Sequence, residues 1–238
     1  MRFVSFFAGI GGIDLGLERA GHECVGQVEI DPFCLKVLAK HWPDTWRHDD
    51  ILTLKAGDIP EADLWTGGFP CQDISNAGKR AGIHGKRSGL FFDFMRLVRE
   101  VRPRYLLLEN VAALLVRGMG NVLGRLAASG YDAEWDCFPA YAVGAEHMRE
   151  RYFILAYSNQ VGRKLPNFGF AGRPLSRHWV EGLATIWKAT KPEIIRMDHG
   201  VPAKLDATRV AGCGNAVVPQ VATYVGLLLK EAEKGVVF

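Results

Sequence analysis

The first 157 residues alternate short apolar runs with amphipathic segments of helical length. Strands are predicted at residues 2–7, 24–29, 64–67, 105–109, 133–139 and 152–157. Helices are predicted at residues 13–20, 32–41, 90–101 and 120–129. Such alternation is typical of a parallel sheet that carries helices on both faces. The sequence therefore predicts an α/β fold with a doubly wound sheet.

This alternation ends after residue 157. Between residues 158 and 208, glycine and proline repeatedly interrupt any periodic pattern, and an apolar run at 217–230 then predicts a helix that packs back on the core. We expect a catalytic and cofactor-binding domain at 1–157, a small irregular lobe at 158–208 and a returning C-terminal segment at 209–238. Residues 159–210 hold nine Lys/Arg against four Asp/Glu. This excess of positive charge suggests a polyanionic partner, and an ordinary solvated loop region is the alternative.

Composition narrows the class of protein. The chain has five cysteines but no Cys-x-x-Cys pair, which argues against a disulfide framework and against a zinc site. A free thiol stays usable in a reducing cytosol, so we expect a cytoplasmic protein. The sequence contains no apolar stretch long enough for a membrane span, and its apolar start is interpreted as a first strand and not as a signal peptide.

A glycine-rich loop follows the first predicted strand, and Gly9 and Gly11 allow its backbone to approach a ligand closely. Asp14 occupies the place of the third glycine of a dinucleotide motif, where we expect its carboxylate to repel a pyrophosphate. Glu29 ends the second strand at the position that holds ribose hydroxyls. Asp50 can accept from an adenine amino group. A ligand with ribose and adenine but no phosphate fits better than NAD, although each acid alone is equally explained as a surface charge.

Three further features indicate chemistry at the carboxyl edge of the sheet. Cys71 follows a strand, two glycines and Pro70, a setting typical of a nucleophile, although a buried structural cysteine is the alternative. Glu109 ends an apolar strand, and burial there is expected to raise its pKa; a helix N-cap is the alternative. Arg149 and Arg151 precede the last predicted strand with one residue between them, so both could point at one site. Their guanidinium groups suit a phosphate or a base carbonyl oxygen, and a surface ion pair is the alternative.

Together these residues resemble the DNA cytosine-5 methyltransferase family. The resemblance covers residues 3–157 and 209–230 and lies in motif order. It rests on the segments Phe7-Ala8-Gly9-Ile10-Gly11-Gly12, Glu29, Asp50, Gly68-Phe69-Pro70-Cys71-Gln72, Glu109-Asn110-Val111, Arg149-Glu150-Arg151 and Gly214-Asn215-Ala216-Val217-Val218. It implies a Rossmann-like class I fold dependent on S-adenosylmethionine, with a small irregular second lobe.

The resemblance also implies roles for single residues. Cys71 would be the nucleophile, Glu109 would engage nitrogen 3 of a cytosine, Arg151 its carbonyl oxygen, and Arg149 would support the same site. S-adenosylmethionine, which leaves as S-adenosylhomocysteine, would bind without a metal. The residues expected to hold it are Phe7, Ala8, Gly9, Ile10, Gly11, Gly12, Glu29, Ile30, Asp50, Ile51, Pro70, Leu90, Asn215 and Ala216.

The expected partner is double-stranded DNA, from which the target cytosine must be flipped. A basic, glycine-rich stretch at 72–89 and the basic lobe supply candidate DNA contacts. They are Ser75, Lys79, Arg80, Lys86, Arg87, Arg163, Lys164, Arg173, Arg177 and Arg196. A cognate restriction enzyme or accessory protein is a further candidate partner, and we expect a monomer associated with the nucleoid.

Two departures from the family pattern stand out: His147 replaces the usual glutamine before the Arg-x-Arg pair, and the lobe at 158–208 is short. Two other functions stay open at this point. One is an RNA (tRNA) cytosine-5 methyltransferase of the same fold. The other is a DNA-binding module without catalysis, against which the intact set of Cys71, Glu109 and Arg151 argues.

Overall fold

One mixed sheet with helices on both faces organises the residues that the computed structural model describes, which are 1–70, 89–145, 149–159 and 216–233. The strands are β1 (Arg2–Phe6), β2 (Glu23–Val28), β3 (Trp46–His48), β4 (Leu64–Gly67), β5 (Tyr105–Val111), β6 (Tyr131–Pro139) and β7 (Glu150–Ser158). The helices are α1 (Gly12–Arg19), α2 (Pro32–His41), α3 (Leu90–Val101), α4 (Leu114–Arg117), α5 (Met119–Ala128) and α6 (Pro219–Glu233). Two short 3-10 turns span Ala56–Asp58 and Ala140–Val143.

The strand order is β3-β2-β1-β4-β5-β7-β6, and the first five of these strands pair in parallel. β7 runs antiparallel to both of its neighbours. The predicted α/β fold with a doubly wound sheet is confirmed, and the predicted helices and strands differ from the observed ones by at most three residues at either end. The sequence did not predict the three-residue β3, the one-turn α4 or the reversed direction of β7.

The order of the strands reverses at β1. From β1 the chain builds β2 and β3 on one side, and it then returns to build β4 and β5 on the other. The loops that follow β1 and β4 therefore separate at the carboxyl edge of the sheet and leave a crevice. Open α/β sheets bind their ligands at such a switch point.

Two apolar layers enclose the sheet. On one face, Phe6 packs against Trp65 and Phe94 at ring-centroid distances of 4.7 and 5.1 Å, beneath α3 and α5. On the other face, Phe3 and Phe153 lie in a second buried cluster with residues of α1 and α6. Among the residues that the structure describes, no helix combines the length and apolar character needed to cross a bilayer.

Helix α6 packs closely on α1, although 199 residues separate the two along the chain. A Cβ added at Gly16 would overlap the Cβ of Ala222 and lie 2.8 Å from the backbone nitrogen of Thr223. A Cβ added at Gly226 would lie 2.7 Å from the Cβ of Ala20. The crossing therefore requires glycine on both helices, and it fixes the end of the chain against the start.

The α1–α6 contact gives a test of stability. We expect Gly16→Ala to lower the free energy of unfolding by about 1–3 kcal/mol, because the new methyl group enters a filled contact. The matched control is Gly124→Ala on α5, where nothing lies within 4 Å of the added Cβ. There the better helix former should raise stability by up to about 1 kcal/mol. Urea unfolding followed by circular dichroism measures both, and equal effects would contradict the packing.

Candidate active site

A cavity of about 360 Å³ opens at the carboxyl ends of β1, β2, β4 and β5. Its size lies at the lower end of the range for sites that bind small molecules. The wall is built by residues at the ends of these strands and after β3, by the first residues of α1, α2 and α3, by Arg151 of β7 and by the segment before α6. Predicted site residues that line it are Phe7, Ala8, Gly9, Gly12, Glu29, Ile30, Asp50, Ile51, Pro70, Leu90, Glu109, Arg151 and Ala216.

Other predicted residues lie elsewhere. Ile10, Gly11 and Arg149 are described but do not line the cavity. Cys71, Asn215 and His147 fall outside the described residues and stay predictions. The same holds for every candidate DNA contact, namely Ser75, Lys79, Arg80, Lys86, Arg87, Arg163, Lys164, Arg173, Arg177 and Arg196.

The loop after β1 turns sharply into α1. Phe7, Gly9 and Gly11 have φ values of 56°, 57° and 84°, all in the left-handed region. Gly11 must also lack a side chain, because a Cβ there would overlap the ring of Trp42. The turn brings the first residues of α1 to the cavity wall, so the positive end of the helix dipole faces the ligand space.

Two carboxylates stand at the edge of this space. The oxygens of Glu29 accept hydrogen bonds from the backbone nitrogens of Gly9 (2.7 Å) and Asp31 (2.8 Å). Asp50 accepts one from the backbone nitrogen of Leu52 at 2.9 Å. A carboxylate offers about four acceptor positions, so both groups are oriented by the backbone and can still accept from a ligand.

Asp14 points away from the cavity. It is fully buried and accepts from the hydroxyl of Ser5 and the amide of Gln27, each at 2.9 Å. Arg47 in turn donates to Gln27 at 3.0 Å, and burial raises the pKa of Asp14. The interpretation of this carboxylate as a group that repels a ligand phosphate is therefore wrong. It ties α1 to β1 and β2 beneath the glycine loop.

Glu109 and Arg151 form an ion pair at the opposite end of the cavity. The Nε of Arg151 lies 2.8 Å from Oε1 of Glu109, and Glu109 is only 7% exposed. Burial raises the pKa of Glu109 to about 7, against the opposing attraction of Arg151 and Arg149. A carboxyl group with this pKa can hold or release a proton near neutral pH, which suits acid–base catalysis.

Asn110 fixes the loop that leads to Cys71. Its amide nitrogen donates to the carbonyl oxygen of Phe69 at 3.2 Å, while its oxygen accepts from the backbone nitrogen of Val111 at 2.9 Å. Gly68 completes this arrangement, since a Cβ there would lie 3.1 Å from Oε2 of Glu109. The chain just before the predicted nucleophile is thus fastened beside the predicted acid.

Several lining residues were missed by the sequence reasoning. Asn110, Leu52, Phe69 and Cys34 all line the cavity. The first three directly adjoin or lie within predicted motifs, so their neighbours were the available signal. Leu52 is 56% exposed and Ile30 is 65% exposed, and these apolar side chains flank the cavity mouth.

The strand order and the crevice at the switch point define a Rossmann-like class I fold, the fold of methyltransferases that use S-adenosylmethionine. The chain resembles the solved structure of DNMT2 from Spodoptera frugiperda with a TM-score of 0.58. That match has 22% identity and covers 72% of this chain and 53% of the other. At this identity the likeness concerns the fold alone.

Sequence comparison is more specific. The family model for C-5 cytosine-specific DNA methylases matches residues 1–190. Type II methyltransferase M.BsuFI of Bacillus subtilis is 30% identical over 254 residues, covering 99% of this chain and 60% of the relative. Type II methyltransferase M.HgiCII of Herpetosiphon aurantiacus is 38% identical over 176 residues, covering 71% and 39%.

The chain belongs to the C-5 cytosine-specific DNA methylase family, as its motifs predicted. It spans about half the length of the curated relatives that it matches.

The raised pKa of Glu109 predicts a pH-dependent stability. An unfolded glutamate titrates near 4.3, so between about pH 4.5 and pH 7 the folded chain holds a proton that the unfolded chain has lost. Unfolding free energy should therefore fall as pH rises across this interval. Glu109→Gln keeps the shape and removes the titration. We expect the wild type to lose about 2 kcal/mol relative to this variant between pH 5 and pH 8.

Urea unfolding at a series of pH values measures this difference. Parallel pH profiles for the two proteins would contradict the assignment of a raised pKa to Glu109.

Proposed function

We propose that this protein transfers a methyl group from S-adenosylmethionine to carbon 5 of cytosine in duplex DNA. The observation that carries the proposal is the buried pair of Glu109 and Arg151. It shares one cavity with Glu29 and Asp50 and lies beside the loop that leads to Cys71. Membership of the C-5 cytosine-specific DNA methylase family supports this assignment.

The cavity suits S-adenosylmethionine in the chemistry of its groups. The glycine loop lets the backbone approach the ligand, and on this proposal Glu29, which lines the cavity, accepts from ribose hydroxyls. On this proposal Asp50 accepts from the adenine amino group, and the exposed apolar side chains of Ile30 and Leu52, which also line the cavity, cover the ring. When bound, S-adenosylmethionine supplies an electrophilic methyl group.

Cys71 acts as the nucleophile in the proposed mechanism. Carbon 5 of cytosine is a poor nucleophile until a thiolate adds to carbon 6. Glu109 shares its proton with nitrogen 3 of the ring, so the added electrons are not left as a full negative charge. Arg151 donates to the carbonyl oxygen at carbon 2. Its charge also limits how far burial raises the pKa of Glu109.

Carbon 5 then has enamine character and would take the methyl group as the bond between that group and the sulfonium sulfur breaks and S-adenosylhomocysteine leaves. A base removes the proton from carbon 5, the thiolate of Cys71 leaves by elimination, and nitrogen 3 returns its proton to Glu109. Asn110 contributes by geometry, because its hydrogen bond to Phe69 holds the chain two residues before Cys71 in place. Base flipping brings the target cytosine into the pocket.

We further propose a role in sequence-specific DNA modification within a restriction–modification system. Curated relatives such as M.BsuFI and M.HgiCII are named Type II methyltransferases, which supports this setting. On this proposal the protein acts as a monomer on double-stranded DNA in the cytoplasm, near the nucleoid. A cognate restriction enzyme is the partner to be sought.

The covalent step is tested by trapping on DNA amplified with 5-fluoro-dCTP, which offers every sequence context at once. In the presence of S-adenosylmethionine, fluorine at carbon 5 blocks the elimination that follows methyl transfer, so the wild type should form an adduct with DNA that survives denaturing electrophoresis. Cys71→Ser should form none, because a serine hydroxyl is a far weaker nucleophile than a thiolate. Its affinity for S-adenosylhomocysteine should stay within about threefold of the wild type.

The control is a parallel assay with methyl-labelled cofactor on unmodified duplex DNA and on tRNA. Transfer to tRNA alone would favour an RNA methyltransferase. A wild type that binds cofactor but yields no adduct would contradict the covalent mechanism, and a Cys71→Ser protein that still methylates would contradict the nucleophile.

A further inference from the structure

The segment that precedes α6 supplies part of the cavity wall. Residues 216–218, here called the return segment, precede α6, and Ala216 and Val217 line the cavity beside the glycine loop. A ligand in this cavity thus meets both the first loop of the chain and a segment more than 200 residues later. The position of the return segment therefore sets the shape of the ligand space.

One side of the return segment is held by the glycine loop. A Cβ added at Gly12 would overlap the carbonyl oxygen of Val217 and lie 3.2 Å from its backbone nitrogen. The close crossing of α1 and α6 at Gly16 and Gly226 continues the same contact. This side of the segment is fixed by packing of backbone on backbone.

The other side is held by Arg149. Its guanidinium donates a hydrogen bond to the carbonyl oxygen of Ala216, which is 67 residues away along the chain. Arg149 is separated by one residue from Arg151, whose guanidinium instead pairs with Glu109. Arg151 lines the cavity and Arg149 does not, among the residues that the structure describes.

We propose that Arg149 is a positioning residue for the cofactor, which acts by holding the return segment against the glycine loop. The two arginines on either side of Glu150 then have different roles. Arg151 pairs with Glu109 at the base site, and Arg149 holds the return segment at the cofactor site. The proposal rests on the proposed function, because it takes S-adenosylmethionine as the ligand of the cavity. It assigns Arg149 no contact with the base.

The first measurement is binding of S-adenosylhomocysteine to the full chain without DNA, by isothermal titration calorimetry. We expect Arg149→Ala to raise the dissociation constant about tenfold, the usual scale for loss of one charge-assisted hydrogen bond. Arg149→Lys keeps a cationic donor and should restore most of the affinity. Arg151→Ala is the matched control and should stay within about threefold of the wild type.

The second measurement is the rate of adduct formation on 5-fluorocytosine DNA at saturating cofactor. In this measurement Arg151→Ala should be the more impaired variant, with a rate of adduct formation at least about a hundredfold below that of the wild type. For Arg149→Ala the rate should fall by a smaller factor than its cofactor affinity does. A general loss of structure would lower both quantities together. This split between affinity and rate therefore separates positioning from simple destabilisation.

Wild-type affinity for S-adenosylhomocysteine in Arg149→Ala would overturn the proposal, as would a loss confined to adduct formation. If Arg149→Ala does not fold, Arg149→Gln replaces it, and equal affinity in the Gln, Lys and wild-type proteins would overturn the proposal as well. Failure of the wild type itself to bind S-adenosylhomocysteine would contradict the proposed function, a result distinct from these.

Discussion

The candidate site depends on the antiparallel pairing of β7 with β5. Its register sets Arg151 opposite Val111 and Phe153 opposite Glu109, so Glu109 and Arg151 are diagonal neighbours on one face of the sheet. A slip of one residue would turn Arg151 to the other face and leave a buried carboxyl group without its nearest cation. The apolar surroundings matter as much as the cation, because burial raises the pKa of Glu109 despite two nearby arginines.

The cavity joins parts of the chain that are distant in sequence. Its floor comes from the ends of parallel strands, whereas one wall comes from residues 216–217. Gly16 and Gly226 make that wall possible, since they let α6 approach α1 closely enough to fix it. The buried carboxyl of Asp14 secures α1 from below through Ser5 and Gln27. Packing far from the ligand thereby determines the geometry around it.

Apolar runs and glycine positions were sufficient to predict the sheet and its long helices, because these signals are local. Most of the residues that line the cavity were predicted only through the resemblance to the cytosine-5 methyltransferase family. The direction of β7 was not predictable, since an apolar strand has the same pattern in either orientation. Asp14 was misjudged because spacing alone does not say which way a side chain points. The contact between Arg149 and Ala216 had no sequence signal at all, because it joins two segments through the folded sheet. The roles of Cys71 and Asn215 stay predictions.

The chain leaves the described core after β7 and re-enters it at the return segment, with 56 residues between. Both points are anchored: the backbone nitrogen of Asn159 donates to the carbonyl oxygen of Gly130 at 3.0 Å, and Arg149 holds Ala216. Closing a loop between fixed ends costs only about 0.6 kcal/mol more for each doubling of its length. On this scaling, a change in the number of residues between these two anchors would cost the sheet little stability.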